Sequence, residues 1–340
     1  MAVVKANGYG HGAVKCAETL ERAGCDFFAV FTVGEGLELR KNGIHSDILI
    51  FSRMEAELLP VVVDQNLTWN LAWSEDLDTL LQYYRETGSS PRFHVKVDTG
   101  MTRLGIPMEK VESVIKRLKR HPELRCEGLY SHLATADEGD LSYAQFQLRQ
   151  FSSVLETAKH EDYPFQWIHL SNSGAVLNLD QSPFNLARVG MLLYGAFPSD
   201  EVPMDLPVKP VMEFRAPVVT VRKVPAGTHV SYGGVFSTEK ETTIGVIQCG
   251  FADGFPRPWY EQGYVLWKGN QYKIAGRICM DQFMVDFEGQ FPSIGEEVLL
   301  LGSGADGALA ADTIAQSIKT TTYVILTGIH GRTQRIYLED

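Results

Sequence analysis

Ala2-Val3-Val4-Lys5-Ala6-Asn7-Gly8-Tyr9-Gly10-His11-Gly12 is a short apolar run that ends in a lysine and passes into a glycine-rich loop. An amphipathic stretch, Val14–Ala23, follows it, and the next apolar run begins at Phe27. Apolar run, turn, amphipathic stretch and apolar run again make a βα unit of a parallel sheet. The pattern continues to about Gly190, with strand candidates at Ala2–Lys5, Phe27–Phe31, Asp47–Phe51, Leu67–Leu71, Phe93–Val97, Cys126–His132, Trp167–Leu170 and Asn185–Val189. Helix-like segments such as Leu77–Glu86 and Tyr143–Lys159 lie between them. Eight parallel strands imply an α/β fold, a closed (β/α)8 TIM-type barrel.

Eight strands leave seven gaps, and Phe197–Leu206, broken by Pro198 and Pro203, cannot supply a long eighth helix. The expectation is that this helix belongs upstream of the first strand, so that the chain lacks that segment and leaves a groove on the barrel wall. Beyond Pro207 the texture changes to β-rich runs at Val218–Val221, Thr243–Gln248, Tyr264–Trp267, Phe283–Phe287 and Glu297–Leu301, with one helix near Ala311–Ile318. The expected division is a barrel domain over 1–206 and a mostly antiparallel β domain over 207–340.

A chain of 340 residues exceeds what one core usually supports, which fits two domains. The net charge of -11 disfavours nucleic acid, whose backbone attracts basic surfaces, and points to a small-molecule substrate. Five scattered cysteines without a CxxC pair argue against a disulfide framework or a zinc site and fit a reducing, cytoplasmic setting. The sequence has no run of 18 apolar residues and no visible leader, so no membrane partner is expected.

In a parallel barrel, reactive groups collect at the carboxyl ends of the strands. Lys5, Lys96, Arg103, His132, Ser173 and Arg188 all fall at or near such ends. Any one of them reads equally well as a surface residue or a satisfied core polar group; six on one rim read as a site. A lysine in a dry barrel mouth loses its proton readily, as imine formation with an aldehyde requires, although a strand-end lysine before a glycine turn explains that segment alone. The turns Ser171-Asn172-Ser173-Gly174 and Arg188-Val189-Gly190-Met191 offer a hydroxyl and free amides suited to a phosphate dianion.

Taken together, these segments resemble the alanine racemase family. Lys5–Gly12 resembles its KANAYGHG signature, with Gly8 for the usual alanine, and Lys96–Gly105 its KxDTGMxRLG loop. Val230-Ser231-Tyr232-Gly233 resembles VSYG, Gly250–Arg257 resembles GYADGxxR with Phe251 for the tyrosine, and Gly276–Gln282 matches GRxxMDQ. In the closing segment, Gly331 stands where many members carry a side chain that contacts phosphate.

The resemblance implies a pyridoxal 5'-phosphate enzyme of fold type III that interconverts L- and D-alanine, a peptidoglycan precursor. Lys5 would bind the cofactor and act as one base, and Tyr232 would be the base on the opposite face. Arg103 and the Met280 backbone N–H would hold the substrate carboxylate. Tyr9, Ser173, Gly190 and Met191 would hold the phosphate, with Arg188 facing the pyridine nitrogen. A carbamylated Lys96 would orient Arg103, His132 would hydrogen-bond Tyr232, and Asn172 and Asp281 would support the site. Tyr232 and Met280 would reach the other subunit's site in a head-to-tail homodimer. The alternatives are a serine or broad-specificity racemase and a catalytically silent cofactor-binding protein.

Overall fold

The computed structural model describes residues 1–53, 55–180 and 184–338. Contacts divide the chain into two compact units, Met1–Gly8 with Gly12–Leu193 and Phe197–Leu206, and Tyr9–His11 with Tyr194–Ala196 and Pro207–Asp340.

The first unit is the expected parallel barrel. Its strands are β1 (Ala2–Val3), β2 (Phe27–Val30), β3 (Asp47–Ile50), β4 (Thr68–Leu71), β5 (Arg92–Asp98), β6 (Ile106–Pro107), β7 (Arg125–Tyr130) and β8 (Trp167–His169). They run in the order β1-β2-β3-β4-β5-β7-β8, with β6 beside β5. The strand expected at Asn185–Val189 is instead a bridging segment, and the eighth strand of the sheet is the short β6. That segment still closes the ring. Val3 N donates to Val189 O at 2.8 Å on one side, and Asn185 N donates to Ile168 O at 3.2 Å and Arg188 N to Ser171 O at 2.9 Å on the other. Too few of its amides pair in succession to make a strand.

Strand parity decides where the chemistry can lie. Successive side chains point to opposite faces, so Phe93, Val95 and Val97 of β5 join the apolar core while His94 and Lys96 take the other face, also buried. Trp69 and Leu71 of β4 likewise oppose Thr68 and Asn70. One face of these strands packs in the core; the other is a polar interior layer.

Beyond β1 the chain turns left-handed, with φ/ψ of 51°/50° at Ala6, 53°/48° at Asn7 and 61°/45° at Gly8, and φ of 50° at Tyr9. Each non-glycine residue there costs about 1–2 kcal/mol. Local bonds offset this. Gly8 N donates to Val4 O at 2.8 Å, and the Asn7 side chain accepts from Ala13 N at 2.9 Å. Glu35 contributes most: Oε1 accepts from Ala6 N at 2.7 Å, and Oε2 accepts from Phe31 N at 2.8 Å and Thr32 N at 3.0 Å. The last of these belongs to the capping box of helix Val33–Lys41, so one carboxylate ties the end of β2 to the residue after Lys5.

The second unit is the expected antiparallel β domain. It has β9 (Phe214–Val224), β10 (His229–Val230), β11 (Phe236–Ser237), β12 (Thr242–Ile247), β13 (Tyr264–Trp267), β14 (Asn270–Lys273), β15 (Phe283–Asp286), β16 (Glu297–Gly304) and β17 (Gly307–Leu309). The main sheet runs β14-β13-β16-β9-β12-β15, and a bridge between Ile274 and Val285 joins its two edges. β10 and β11 form a separate ribbon. Helix Ala311–Ser317 stands where expected, and helix Thr322–Gly328 follows it.

Replacing Glu35 with alanine leaves three amides without their acceptor. The expected loss is roughly 2 kcal/mol, because water can reach part of this site. Urea titration reads it as a lower midpoint for Glu35→Ala; an unchanged midpoint would show that the carboxylate does not hold the turn.

Candidate active site

Arg188 is buried in the barrel unit, yet among the described residues no carboxylate pairs with it. Its Nη1 donates to His169 O at 3.1 Å and to His169 Nδ1 at 3.0 Å. Its Nη2 donates to Ser131 O at 2.8 Å, Leu170 O at 3.0 Å and His132 Nδ1 at 3.1 Å. All five acceptors are neutral. Burial lowers the guanidinium to about 10, still cationic at neutral pH. Below it, Tyr130 lies parallel to His169 at 4.6 Å, with the Arg188 cation 5.2 Å from its ring centre and Lys96 Nζ 5.6 Å away. The Tyr130 hydroxyl donates to Asn70 Oδ1 at 2.9 Å.

This uncancelled charge acts on its neighbours. Lys5 is half-buried at the end of β1, and burial first, then Arg103 and Arg188, lower its amine below the usual lysine range, with Glu35 opposing. Lys96 is buried and falls to about 7, through burial first and then Arg188 and Arg103. His132 is pushed well below the usual imidazole range by burial and then Arg188. Asp98 makes no ion pair with Lys96: its Oδ1 accepts from Gly100 N at 2.9 Å and Thr102 N at 3.1 Å, shaping the loop before Arg103. Among the described residues the side chains of Lys5, Lys96 and Arg103 make no hydrogen bond or ion pair, and Arg103 is exposed.

Ser173 is buried at the start of helix Ser173–Asn178, where Asn172 caps the turn by accepting from Ala175 N at 2.9 Å. The Ser173 hydroxyl accepts from Gly190 N at 3.1 Å, which brings together the two turns read as a phosphate cradle. Met191 is buried beside them in sequence. Thus Lys5, Lys96, Arg103, His132, Ser173, Arg188 and Gly190 all belong to the barrel unit.

Tyr9, Tyr232, Met280 and Asp281 belong to the other unit. Tyr9 is buried there with ring centres of Tyr194 at 5.0 Å and Tyr323 at 6.0 Å, and its hydroxyl is raised by burial. Tyr232 stands at the tip of the β10–β11 ribbon, 70% exposed, and Met280 is 56% exposed. The two line one surface concavity with Cys279 and Asp281. Their separate motifs are knotted together. Phe251 N donates to Cys279 O at 3.1 Å and Ala252 N to Met280 O at 3.0 Å, while Arg332 bridges Asp253 at 2.6 Å and Asp281 at 2.7 Å. The Ser231 hydroxyl donates to Arg277 O at 2.6 Å. At Gly331, the nearest atom to an added Cβ would be Ala252 O at 3.8 Å, so the space is open, although its left-handed φ of 71° would strain any L side chain placed there.

The reading from sequence missed Tyr130, His169, His94 and Glu35. A signal for the first three existed: each lies on the same strand face as a polar residue that was read, Tyr130 two before His132 and His94 two before Lys96.

The family profile described as alanine racemase, N-terminal domain, matches residues 1–198, and that for the C-terminal domain matches 211–337. An alanine racemase of Carboxydothermus hydrogenoformans is 39% identical over 343 residues, spanning 99% of this chain and 92% of the relative. A solved alanine racemase of Clostridium difficile superposes with a TM-score of 0.94 at 34% identity, covering 100% of this chain and 88% of that one. A Bartonella henselae alanine racemase, described with covalently bound pyridoxal phosphate, superposes at 0.88 with 29% identity, covering 99% and 92%. No described helix is long and apolar enough to cross a membrane.

The Lys96 amine sets a pH dependence. It holds its proton to about 7 when folded and to about 10.5 in an ordinary setting. Between those values the unfolded chain binds more protons, so this residue adds stability as pH rises. Comparing denaturation midpoints at neutral and at mildly alkaline pH, the gain is expected to be smaller in Lys96→Met than in the natural chain. An equal gain would place the amine's titration elsewhere.

Proposed function

The chain belongs to the alanine racemase family, and on that premise we propose that it interconverts L- and D-alanine with pyridoxal 5'-phosphate, as a head-to-tail homodimer with shared sites. The observation that carries this reading is a strand-end lysine, its proton affinity lowered by burial and then by Arg103 and Arg188, in the same unit as a buried guanidinium that meets no carboxylate among the described residues. An unpartnered Arg103 and the paired turns of Ser173 and Gly190 complete a donor set that fits a flat, phosphorylated, anionic aldehyde. When bound, the cofactor supplies an electron sink that acidifies the substrate α-carbon.

The residues then divide the work. Lys5 moves a proton at the α-carbon on one face, and Tyr232 of the partner subunit moves one on the other, because one base cannot easily serve both. Arg103 and the backbone N–H of the partner subunit's Met280 would hold the substrate carboxylate. Arg188 cannot take a proton, so as the residue that would face the ring nitrogen it would leave that nitrogen unprotonated and favour simple proton return over other outcomes. The Tyr9 and Ser173 hydroxyls with the Met191 amide would bind the phosphate, and Gly190, whose amide donates to the Ser173 Oγ, would fix that hydroxyl. His132 keeps its Nδ1 on Arg188 and so offers an Nε2–H to the Tyr232 oxygen. Lys96, as a readily deprotonated amine, is suited to carbamylation, which would turn it into an anion that orients Arg103. Asn172 fixes the Ser173 turn, and Asp281, through Arg332, fixes the backbone that carries Met280.

The room at Gly331, together with Phe251 in place of a tyrosine, favours a second reading in which serine or larger amino acids are also racemised.

Chiral chromatography after incubation with L-alanine and L-serine tests both readings. L-alanine is expected to racemise, Lys5→Ala to abolish the reaction, and Tyr232→Phe to slow it by roughly 10²–10⁴ while α-proton exchange with solvent survives for one enantiomer only. Racemisation that persists in Lys5→Ala would refute the assignment, and rejection of L-serine would remove the second reading.

A further inference from the structure

Beneath the rim, Arg188 is the end of a longer buried chain. His94 Nδ1 lies 2.9 Å from His169 Nε2, and His169 Nδ1 lies 3.0 Å from Arg188 Nη1. A guanidinium can only donate, so His169 Nδ1 accepts and that ring carries its proton on Nε2. The Nε2–H in turn has to donate to His94 Nδ1, which places the last proton on His94 Nε2. By the same logic His132, accepting through Nδ1, is protonated on Nε2. One permanent cation thus orders three imidazoles. All three are neutral: burial and then Arg188 hold His169 and His132 far below the imidazole range, and burial with Arg92 takes His94 to about 3.

His94 has been given a built seat. Gly128 of β7 is its register partner, and a Cβ there would fall 2.5–2.7 Å from three atoms of the imidazole. Phe27 meets the ring edge-on from 5.7 Å. Yet the outer end of the chain is unsatisfied, since His94 Nε2 is buried with no hydrogen-bond partner among the described residues. An aliphatic side chain would fill this space without a stranded N–H. What only the histidine supplies is the Nδ1 acceptor.

We propose that His94 is a positioning residue for Arg188: by accepting from His169 it fixes that imidazole with its Nδ1 lone pair on the guanidinium, and so sets the plane in which the cation is presented to the cofactor ring. The direction toward the ring rests on the racemase reading; the proton order does not.

The two can be separated. Long-range ¹H–¹⁵N spectra of the histidine-labelled protein, without added ligand at neutral pH, are expected to show His94, His169 and His132 as neutral Nε2–H tautomers. An Nδ1–H tautomer or a protonated ring at His94 or His169 in the natural chain overturns the inference, whatever the activity and whether or not variants fold. In His94→Asn the Oδ1 replaces the Nδ1 acceptor, and the His169 signals are expected to stay in place; in His94→Leu the His169 Nε2 resonance shifts. With pyridoxal 5'-phosphate bound, His94→Leu is expected to displace the cofactor absorption maximum and to lower kcat roughly tenfold, the equivalent of one lost hydrogen bond, with KM unchanged. His94→Asn restores both. Identical spectra and kcat in His94→Leu and the natural chain would refute the positioning role. An inactive natural chain with the tautomers as assigned would instead remove the racemase reading and leave the proton order standing.

Discussion

A buried positive charge without a negative partner is the constraint on which the barrel interior is arranged. Arg188 is tolerated there because three backbone carbonyls and two imidazole nitrogens take up its donors, and the carbonyls all belong to the ends of β7 and β8 or the residues just after them. These acceptors satisfy its hydrogen bonds without neutralising it. The surplus charge is felt by every basic group nearby, and it is one reason why Lys5, Lys96 and His132 all hold protons less tightly than usual. Removing a counter-ion from a buried cation is costly in stability alone; in return the cavity gains a standing attraction for anions.

The same economy explains what could be read from residues alone. The barrel was legible because its outward strand faces are apolar and evenly spaced, and Lys5, Arg103, His132 and Arg188 were legible because they sit where strands stop. Asn185–Val189 misled because Leu186, Ala187 and Val189 give it the apolar content of a strand, but it pairs only at separated amides. His94 lies within a strand buried on both faces, where no alternation of apolar and polar exposure marks the inner side, and Tyr130 and His169 are the last residues of strands too short or too irregular to show one. Lys96 and Asp98, two apart on one strand, invite pairing on paper; the carboxylate instead spends itself on the amides of its own loop. In the β unit, β14 and helix Thr322–Gly328 escaped because Asn270–Lys273 is polar and the helix is only seven residues long.

Strain is placed where the proposed chemistry needs the backbone held. A left-handed turn immediately after Lys5 persists because Asn7 and Glu35 over-determine it. Across the β unit, distant motifs act as one object. Arg332 clasps the aspartates of two others, so residues scattered over eighty positions of sequence shape the single exposed surface that carries Met280.

The closure of the barrel has a further consequence for how the protein is made. β1 has its neighbours at Phe28 and Ala29 on one side and at Val189 on the other, so it waits for a segment made more than 180 residues later. Until then its open flank is an unpaired edge, a template for the wrong neighbour. Such distant pairing slows folding, so that flank stays open for longer than it would in a fold stitched together locally.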